Sequence, residues 1–590
     1  MSRRPAGART APRGRGRGGE TAAATRGVAP DGVGIVALGA AVAAVATRMP
    51  FAARRMWDHD SIQFALAVGD FDLAAHQPHP PGYPLYVGLL KLLAAAGVAP
   101  VDAMVALSIA AAAAGAGFAV LLVARLAAEG GAGERAAAGA GLLAAALYVF
   151  DPLLWFYGEL PLVYAVEGGL TVVLAWAALR MADGRGAFVT ACALYGLAGG
   201  VRPSTAVLLA PLFLYGLWRA WRGRAGPEGR RPSAGTVALG AAVGAACVLA
   251  WLVPLAAAAG GLAAYRRLSG EHFAVLLPET SVLYGAGWPA LAHNLEVLTK
   301  WAVQGLVPAV AAVAAAWALA PAPRRRAVAA GLRLAASRAP FLAVWALPPI
   351  AFFALFHVTK AGYTLIHLPA LLAAAALAAA PALAPAGARG SWRAPAAAGV
   401  AAAVGACLFL LGADRRPDQP RWLAAVRHEH NAGALAAYER DLDALRAALA
   451  RFPPSETALA TVELSGTGGA GAEGFLYPYH RHLQWYVPDY PLALLVPQEG
   501  FALVTPGGRR PFRREDGSVE VPPATRRVVF VVAAEPRVEL PLPLAEVVLA
   551  NGTFRVLAVR FRGELAVGEL RLVTARAEER ERRPAVGMSR

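Results

Sequence analysis

The stretch DAMVALSIAAAAAGAGFAVLLVA, residues 102–124, is an apolar run that carries a single charged side chain, Asp102. A transmembrane helix needs roughly 20 mostly apolar residues, so this stretch is long enough to cross a bilayer. Further runs of the same kind lie at 32–50, 136–156, 161–179, 187–201, 204–218, 236–260, 296–320, 340–356, 363–382 and 395–412. The sequence therefore predicts an α-helical polytopic membrane protein with about 11 transmembrane helices.

The composition leads to the same fold class. Of the 590 residues, 57% are hydrophobic and only 16% are charged, and the mean hydropathy is +0.47. Soluble domains are near half apolar and about a quarter charged, so this chain has too few charges to cover a water-facing surface. A cytosolic or secreted enzyme is thereby excluded. Arginines in loops between membrane helices explain the net charge of +17 better than nucleic-acid binding does.

The charges also predict an orientation. With a cytoplasmic N-terminus, the basic loops of the membrane domain fall inside, as the positive-inside rule requires. These loops contain Arg125, Arg135, Arg180, Arg185, Arg219, Arg222, Arg224, Arg230, Arg231, Arg324, Arg325, Arg326, Arg333, Arg338, Arg389 and Arg393. Residues 1–30 form a basic cytoplasmic tail that we expect to be disordered. The apolar run 83–97 is short and carries Lys91, so we expect an interfacial helix there rather than a span.

An odd number of spans places the C-terminus on the outer face, where the composition becomes soluble. A helix is predicted at 434–451, and β-like runs follow at 457–464, 492–497, 526–533 and 546–561. Asn551-Gly552 lies between apolar segments and predicts a two-residue hairpin turn. We therefore expect a transmembrane domain at 31–412 and an extracytoplasmic α+β domain at 413–590.

The first outer loop, 51–100, is the densest collection of ionisable and aromatic side chains. It contains WDHDSIQF (57–64) and HPPGYP (79–84), and the proline- and glycine-rich segment predicts a rigid turn that holds the acidic segment over the helices. A merely solvated loop is the alternative, although such loops rarely collect so many Trp, His and Asp residues. The candidate site residues of this loop are Asp58, Asp60 and His79.

Three later segments place polar groups near the predicted outer boundary. Glu159 follows WFYG, and Glu167 lies about two turns into the next span, where a carboxylate is costly unless it faces a polar cavity or a partner. Pairing of Glu167 with an arginine and contact with substrate are both open. The segments GGVRPS and HVTKAGY supply Arg202, His357, Lys360 and Tyr363. Arginine and lysine suit a lipid-linked phosphate, and snorkelling to the interface is the alternative.

These segments resemble the GT-C membrane glycosyltransferases, in particular bacterial members related to protein O-mannosyltransferases and to the aminoarabinose transferases of lipid A. The resemblance rests on WDHDSIQFALAVGDFDLAAHQPHPPGYPLYVGLLKLL, WFYGELPLVYAVEGGLTVVLAWAALR, YGLAGGVRPSTAVLLAPL and HVTKAGYTLIHLPALL, and it covers roughly residues 30–412. It implies a multi-span fold, a catalytic acidic residue in the first outer loop, a polyprenyl-phosphate sugar donor and an outer C-terminal domain.

The resemblance also implies a reaction, the inverting transfer of a hexosyl or pentosyl group to an acceptor hydroxyl on a protein, lipid or glycan. Asp60 matches the acidic position of the motif best and would act as the base. Asp58 is the alternative, because many relatives carry a second acidic residue where this chain has Gln63.

The remaining candidates would bind substrate. They are Arg202, Lys360 and His357 at the phosphate, His79, Glu159 and Tyr363 around the sugar, and Glu167 as a further contact. A divalent cation at Asp58, Asp60 and His79 is conceivable, but their spacing matches no metal motif closely, so no metal site is predicted.

Two other functions fit parts of the sequence. A transporter or flippase of lipid-linked saccharides would also use intramembrane charges, but internal repeats are common in transporters and none is evident in this sequence. A polysaccharide polymerase or ligase would lack the first-loop pattern. In the C-terminal domain, YPYHRH (477–482) and Trp485-Tyr486 suggest either a surface for partners or a part of the acceptor site.

Overall fold

The computed structural model describes residues 30–222, 231–320, 323–384, 392–411, 430–462, 480–496, 500–505, 508–511, 518–533, 545–551, 554–567 and 570–575. Several predicted features lie outside these residues, wholly or in part. They are the tail 1–30 up to Ala29, the loop residues Arg224, Arg230 and Arg389, the end of the predicted strand 457–464, Gly552 of the predicted turn, and the tripeptide 477–479 of the C-terminal aromatic cluster. The described chain forms a helical domain followed by a domain that contains all of the described β-strands of the sheets.

The helical domain is built from segments rich in Ala and Leu, which are the strongest helix formers. Its helices are α1 (Pro30–Arg48), α2 (His59–Gly69), α3 (Pro84–Ala95), α4 (Pro100–Glu129), α5 (Glu134–Phe150), α6 (Pro152–Tyr157), α7 (Val163–Arg180), α8 (Arg185–Val201), α9 (Pro203–Leu208), α10 (Ala210–Arg222), α11 (Ala234–Ala258), α12 (Leu262–Thr280), α13 (Gly287–Ala318), α14 (Arg324–Leu355), α15 (Leu368–Leu383) and α16 (Arg393–Leu410). Proline is the first residue of α3, α4, α6 and α9. It is tolerated there because the N–H groups of the first helical turn make no intrahelical hydrogen bonds.

Seven of the described helices, α1, α4, α7, α11, α13, α14 and α16, are long and apolar enough to cross a membrane. The other four predicted spans correspond to shorter or interrupted helices. Helices α5, α8 and α15 have 17, 17 and 16 residues, and the run 204–218 is divided between α9 and α10. The prediction of a helical polytopic membrane protein with a C-terminal domain is confirmed, whereas the count of 11 spans stays a prediction.

The segment between α11 and α13 differs from the sequence analysis, which left it as an outer loop. It contains α12, a helix of 19 residues that has no long apolar run because Arg266, Arg267 and Glu271 interrupt it. The Tyr265 hydroxyl donates to the Pro81 carbonyl at 3.1 Å. Helix α12 therefore packs on the first loop. The predicted interfacial helix at 83–97 corresponds to α3, which is 12 residues long.

Basic side chains of the predicted cytoplasmic loops meet at one end of the helical domain. Both carboxylate oxygens of Asp183 accept hydrogen bonds from Arg125, at 2.5 and 2.6 Å, and Arg180 also pairs with Asp183. Glu129 accepts from Arg125 and Arg219, each at 2.9 Å. The C-terminal ends of α4, α7 and α10 thus lie together, as the predicted alternation of inside and outside loops requires.

Helix α5 packs against α1, α4, α15 and α16. Its contact with α16 is especially close at a glycine. At Gly405 of α16, the carbonyl group of Phe150 occupies the space that a Cβ atom would need. The helices approach each other this closely only because the residue has no side chain.

Replacement of Gly405 by Ala should therefore destabilise the helical domain by about 1–3 kcal/mol, because the added methyl group forces α16 away from α5. Gly399→Ala on the same helix is the matched control, since a Cβ atom there meets no atom within 4 Å. Thermal unfolding in detergent measures both variants, and equal midpoints for the two would contradict this packing.

Within the described residues, the C-terminal domain combines two helices with two sheets, as an α+β prediction expects. Its elements are α17 (Ala432–Leu449), β1 (Thr457–Val462), α18 (His480–Tyr486), β2 (Leu492–Val496), β3 (Gly500–Thr505), β4 (Gly508–Pro511), β5 (Ser518–Val521), β6 (Arg527–Ala533), β7 (Glu546–Ala550), β8 (Phe554–Arg560), β9 (Glu564–Val567) and β10 (Leu570–Thr574). Seven strands form one sheet in the order β4-β3-β2-β1-β6-β8-β7, and β5-β10-β9 form the other. Strand β1 is parallel to β2 and β6, and the antiparallel pair β7/β8 lies where the hairpin was predicted.

Candidate active site

The site begins where α2 starts. Asp58 is the N-cap of α2, and its Oδ1 accepts a hydrogen bond from the Asp60 backbone N–H at 2.9 Å. An Asp at this position satisfies one of the free N–H groups of the first helical turn, which explains why α2 begins here. The cap also places the side chains of Asp58 and Asp60 side by side.

Lys360 lies between these two carboxylates, although it follows them by 300 residues. Its Nζ is 2.5 Å from Asp58 Oδ2 and 2.7 Å from Asp60 Oδ2. His59 joins the same carboxylates on their other oxygens, with Nδ1 2.9 Å from Asp58 Oδ1 and Nε2 3.1 Å from Asp60 Oδ1. We refer to Asp58, His59, Asp60 and Lys360 as the carboxylate cluster.

The carboxylate cluster sets its own protonation states. Burial alone would raise the pKa of both carboxyl groups, but Lys360 and His59 outweigh it and lower the pKa of Asp60 to about 2 and that of Asp58 well below its usual range. Burial would lower the pKa of His59, yet Asp60 and Asp58 raise it above its ordinary value of 6.5. With both aspartates ionised and both cations protonated, the cluster has no net charge.

His79 lies next to the carboxylate cluster, as the sequence analysis expected. Its Nδ1 is 2.7 Å from Gln63 Oε1 and 3.7 Å from Asp60 Oδ1, and its Nε2 is 2.8 Å from the Tyr83 hydroxyl. Burial lowers the pKa of His79 to about 3, so the ring is neutral at physiological pH. Gln63 thus positions this histidine.

A second group lies around Arg202, the residue between α8 and α9. Its Nη1 donates to Glu167 Oε2 at 2.8 Å, and Glu167 also accepts from the Thr205 hydroxyl. The guanidinium lies over the Tyr363 ring at 4.8 Å and over the Tyr164 ring at 5.6 Å from the centroids. Of the two possibilities left open for Glu167, pairing with an arginine is the one observed. We call Arg202, Glu167, Tyr164 and Tyr363 the arginine clamp.

The segment HVTKAGY joins the two groups. It lies between α14 and α15, and it carries Lys360 of the carboxylate cluster and Tyr363 of the arginine clamp. His357 packs against Tyr363 with the ring centroids 5.9 Å apart, and burial lowers the pKa of His357 to about 4. Three of the predicted substrate-binding residues are thus held on one short segment.

Glu159, another predicted substrate residue, lies near Arg48. Its side chain is fully buried, and neither carboxylate oxygen has a hydrogen-bond partner within the described residues. Burial raises its pKa well above the ordinary value, and the nearby charge of Arg48 only partly opposes that effect. The expectation that Glu159 lines the sugar pocket stays a prediction.

The carboxylate cluster has the composition of a possible divalent-cation site. The ligand atoms of Asp58, His59 and Asp60 lie within 4.8 Å of one another, which is compact enough for a metal ion. The Lys360 ammonium, however, already lies between the carboxylate oxygens that such an ion would bind. The residues present do not fit a metal ion while Lys360 is in this position.

Comparison with known proteins gives one match to a family. Residues 69–223 match the model described as the protein O-mannosyl-transferase TMEM260 N-terminal domain. The resemblance to the GT-C membrane glycosyltransferases is confirmed. The matched segment includes His79, Glu167 and Arg202, whereas the carboxylate cluster lies outside it.

Two solved structures are similar in outline. They are crystal structures of ArnT from Cupriavidus metallidurans, one bound to undecaprenyl phosphate and one in the apo state. The first has 14% sequence identity and a TM-score of 0.48 over 90% of this chain and 98% of that one. The second has 14% identity and a TM-score of 0.47 over 89% and 97% of the respective chains. The search of curated proteins gave no match.

Sequence reasoning missed several residues of this glycosyltransferase-like site. His59, which bridges the two aspartates, carried a signal, since it stands between them in the motif. Tyr164, which packs on Arg202 and lies 5.4 Å from Tyr363 between ring centroids, is one turn before Glu167 and faces the same way. His272, 6.0 Å from His79 between ring centroids, comes from α12 and carried no such signal.

Proposed function

We propose that the protein is a membrane glycosyltransferase that transfers a sugar from a polyprenyl-phosphate donor to an acceptor hydroxyl on the outer face of the membrane, with inversion. The observation that carries the proposal is the carboxylate cluster, in which two ionised aspartates and two cations lie side by side next to Arg202.

Asp60 is the proposed base. Both aspartates bind His59 through Oδ1 and Lys360 through Oδ2, but Asp58 Oδ1 also caps α2. Asp60 contributes no such cap. It is therefore the better placed of the two to accept a proton, and a positioned base contributes ~10²–10⁴-fold to the rate.

The proposed step is a single displacement. The acceptor hydroxyl loses its proton to Asp60 as its oxygen attacks the anomeric carbon. The bond between that carbon and the phosphate oxygen breaks, and polyprenyl phosphate leaves with the electron pair. Inversion follows because the attack is on the face opposite to the leaving group.

The charge of the cluster supports this step. When Asp60 takes the proton it becomes neutral, and Lys360 and His59 are then balanced only by Asp58. The cluster gains one net positive charge while negative charge develops on the departing phosphate. Fixed charges that compensate a developing charge often contribute more to enzyme catalysis than any other single effect. Lys360 and Arg202 are the proposed phosphate contacts, and His357 assists them.

Two further parts of the proposal concern the substrate and the architecture. His79, Glu167 and Tyr363 lie close to the proposed reaction centre and are proposed to shape the sugar site, directly or through Arg202. The domains are proposed to be 31–412 and 413–590, with the first loop and the C-terminal domain both on the outer face.

The test uses purified full-length protein in nanodiscs and a radiolabelled polyprenyl-phosphate sugar, with a membrane extract as the source of acceptor. Appearance of labelled acceptor together with free polyprenyl phosphate supports the enzyme. Movement of intact donor between the leaflets of a vesicle, without cleavage of the sugar–phosphate bond, would instead support the transporter.

The pH dependence of kcat/KM should follow the cluster. Asp60, with a pKa of about 2, stays ionised far below neutral pH, and His59 stays protonated below its raised pKa. We expect a flat profile from about pH 5 to 6.5 and a decline as His59 loses its proton, because the cluster then repels the anionic donor. His59→Gln should remove the alkaline limb. An acid limb near pH 5 that disappears in Asp60→Asn would contradict the low pKa of this carboxyl group.

A further inference from the structure

The C-terminal domain forms hydrogen bonds with the backbone just before the carboxylate cluster. The Met56 N–H donates to the Tyr486 hydroxyl of α18 at 2.7 Å, and the Tyr438 hydroxyl of α17 donates to the Met56 carbonyl. Both polar groups of a single residue are thus held by two tyrosines of another domain. Buried backbone groups need such partners, and here the partners come from 382 and 430 residues away.

Further contacts fix Tyr438 in the position from which it binds Met56. His482 Nε2 lies 2.9 Å from the Tyr438 hydroxyl, and burial lowers the pKa of His482 to about 4, so it is a neutral partner. The Tyr438 ring packs on Trp57, with centroids 4.8 Å apart. Tyr438 is therefore fixed on its hydroxyl and on its ring.

Charged side chains also connect the C-terminal domain to the first loop, on both sides of Met56 in the sequence. The Arg54 N–H donates to Glu439 Oε1 at 2.6 Å, and Arg55 pairs with Asp443 at 2.8 Å. On the far side of α2, Arg481 donates to the Ala75 carbonyl at 2.6 Å. The two C-terminal helices α17 and α18 thus contact the first loop before and after the helix that carries Asp60.

The position of these hydrogen bonds matters because the carboxylate cluster begins directly after Met56 in the chain. Met56 stands two residues before Asp58, whose carboxylate caps α2 and receives Lys360. A shift of the Met56 peptide moves the start of α2, and with it the position of Asp60 relative to Lys360. A misplacement of about 1 Å at a reacting group can cost 10²-fold in rate.

We propose that Tyr438 and Tyr486 are positioning residues for the carboxylate cluster, so that the C-terminal domain is part of the catalytic unit and not only an acceptor surface. This inference rests on the proposed function, since it assigns the two tyrosines to the reaction of that site. The hydroxyl groups are the active element, because they hold the N–H and C=O of Met56.

The test compares two variants that lose tyrosine hydroxyls in the same domain. Tyr438→Phe/Tyr486→Phe removes both bonds to Met56. Tyr490→Phe is the matched control, because its hydroxyl donates only to the Leu449 and Phe452 carbonyls, at 2.8 and 2.6 Å, within the C-terminal domain. We expect kcat to fall about 10- to 100-fold in the double variant, with KM for donor and acceptor changed less than about threefold. Tyr490→Phe should retain the kcat of the unmodified protein.

A second measurement does not depend on transfer activity. Hydrogen exchange of the peptide that contains residues 54–60 should quicken in the double variant and not in Tyr490→Phe, while exchange in α4 stays unchanged in both. Faster exchange without a loss of kcat would overturn the positioning role. A higher KM for the acceptor at unchanged kcat would assign the tyrosines to acceptor binding instead. If the unmodified protein transfers no sugar, the proposed function fails, and the exchange data still decide whether the tyrosines hold the loop.

The single variants keep the proposal testable should the double variant not fold. Tyr486→Phe leaves the Tyr438 bond to the Met56 carbonyl in place and is expected to lower kcat by a smaller factor than the double variant. A kcat equal to that of Tyr490→Phe in both single variants would refute the inference.

Discussion

Asp60→Asn should lower kcat for sugar transfer by about 10²- to 10⁴-fold, which is the contribution typical of a positioned general base. Asparagine has nearly the same shape as aspartate and still accepts a hydrogen bond from Lys360. It cannot accept the proton of the acceptor hydroxyl, however, so the displacement loses its base. Single-turnover transfer from a radiolabelled polyprenyl-phosphate sugar measures the effect on the chemical step.

Two control variants make this result interpretable. Asp70→Asn changes an exposed carboxylate at the end of the same helix and should leave kcat within about twofold. Asp58→Asn keeps a good N-cap residue, because asparagine caps helices as well as aspartate does. It should therefore cost less activity than Asp60→Asn. A larger loss in Asp58→Asn would reverse the two roles, and full activity in Asp60→Asn would refute the assignment of the base.

Lys360→Ala should have the second large effect, on activity and on stability together. Removal of the ammonium leaves two ionised carboxylates facing each other in a buried site, and breaking a buried ion pair costs about 3–5 kcal/mol. The pKa of Asp60, about 2 in the intact cluster, should rise, because the variant lacks Lys360, the cation that lowers this pKa most. We also expect a loss of kcat of at least about 10²-fold, because the leaving phosphate loses a fixed positive charge.

The charge balance of the cluster provides the decisive control for this variant. Lys360→Ala/Asp58→Asn removes one negative charge together with the positive one and should recover part of the lost stability without recovering activity. Lys91→Ala on α3 changes an exposed lysine and should alter neither quantity. Thermal unfolding in detergent and transfer assays measure the set. A double variant no more stable than Lys360→Ala would show that the ion pairs do not hold the cluster together.

Much of the fold could be predicted from the sequence, because apolar runs long enough to span a bilayer have few alternatives to a helix. The same reasoning fails for α12, whose charges interrupt the apolar run and whose stability comes from packing on the first loop. It also leaves the surroundings of Glu159 open, because a carboxylate beside a span can face a cavity, a partner or the interior. Sequence spacing does not distinguish these three environments.

The candidate site could be predicted in its parts but not in its pairing. The motif WDHDSIQF identified Asp58 and Asp60, and the broken apolar runs identified Arg202 and Lys360. Nothing local in the sequence shows that Lys360 binds the carboxylates or that Arg202 pairs with Glu167, since these contacts arise from helix packing. The hydrogen bonds of Tyr438 and Tyr486 to Met56 also could not be predicted from any local sequence pattern.

The assembly of the cluster from distant parts of the chain has a consequence for biogenesis. When the ribosome has delivered only the early helices, α2 has neither the lysine that joins its aspartates nor the tyrosines that hold the peptide before them. A nascent chain in the membrane therefore contains neither the complete carboxylate cluster nor its contacts with the C-terminal domain until that domain has been synthesised.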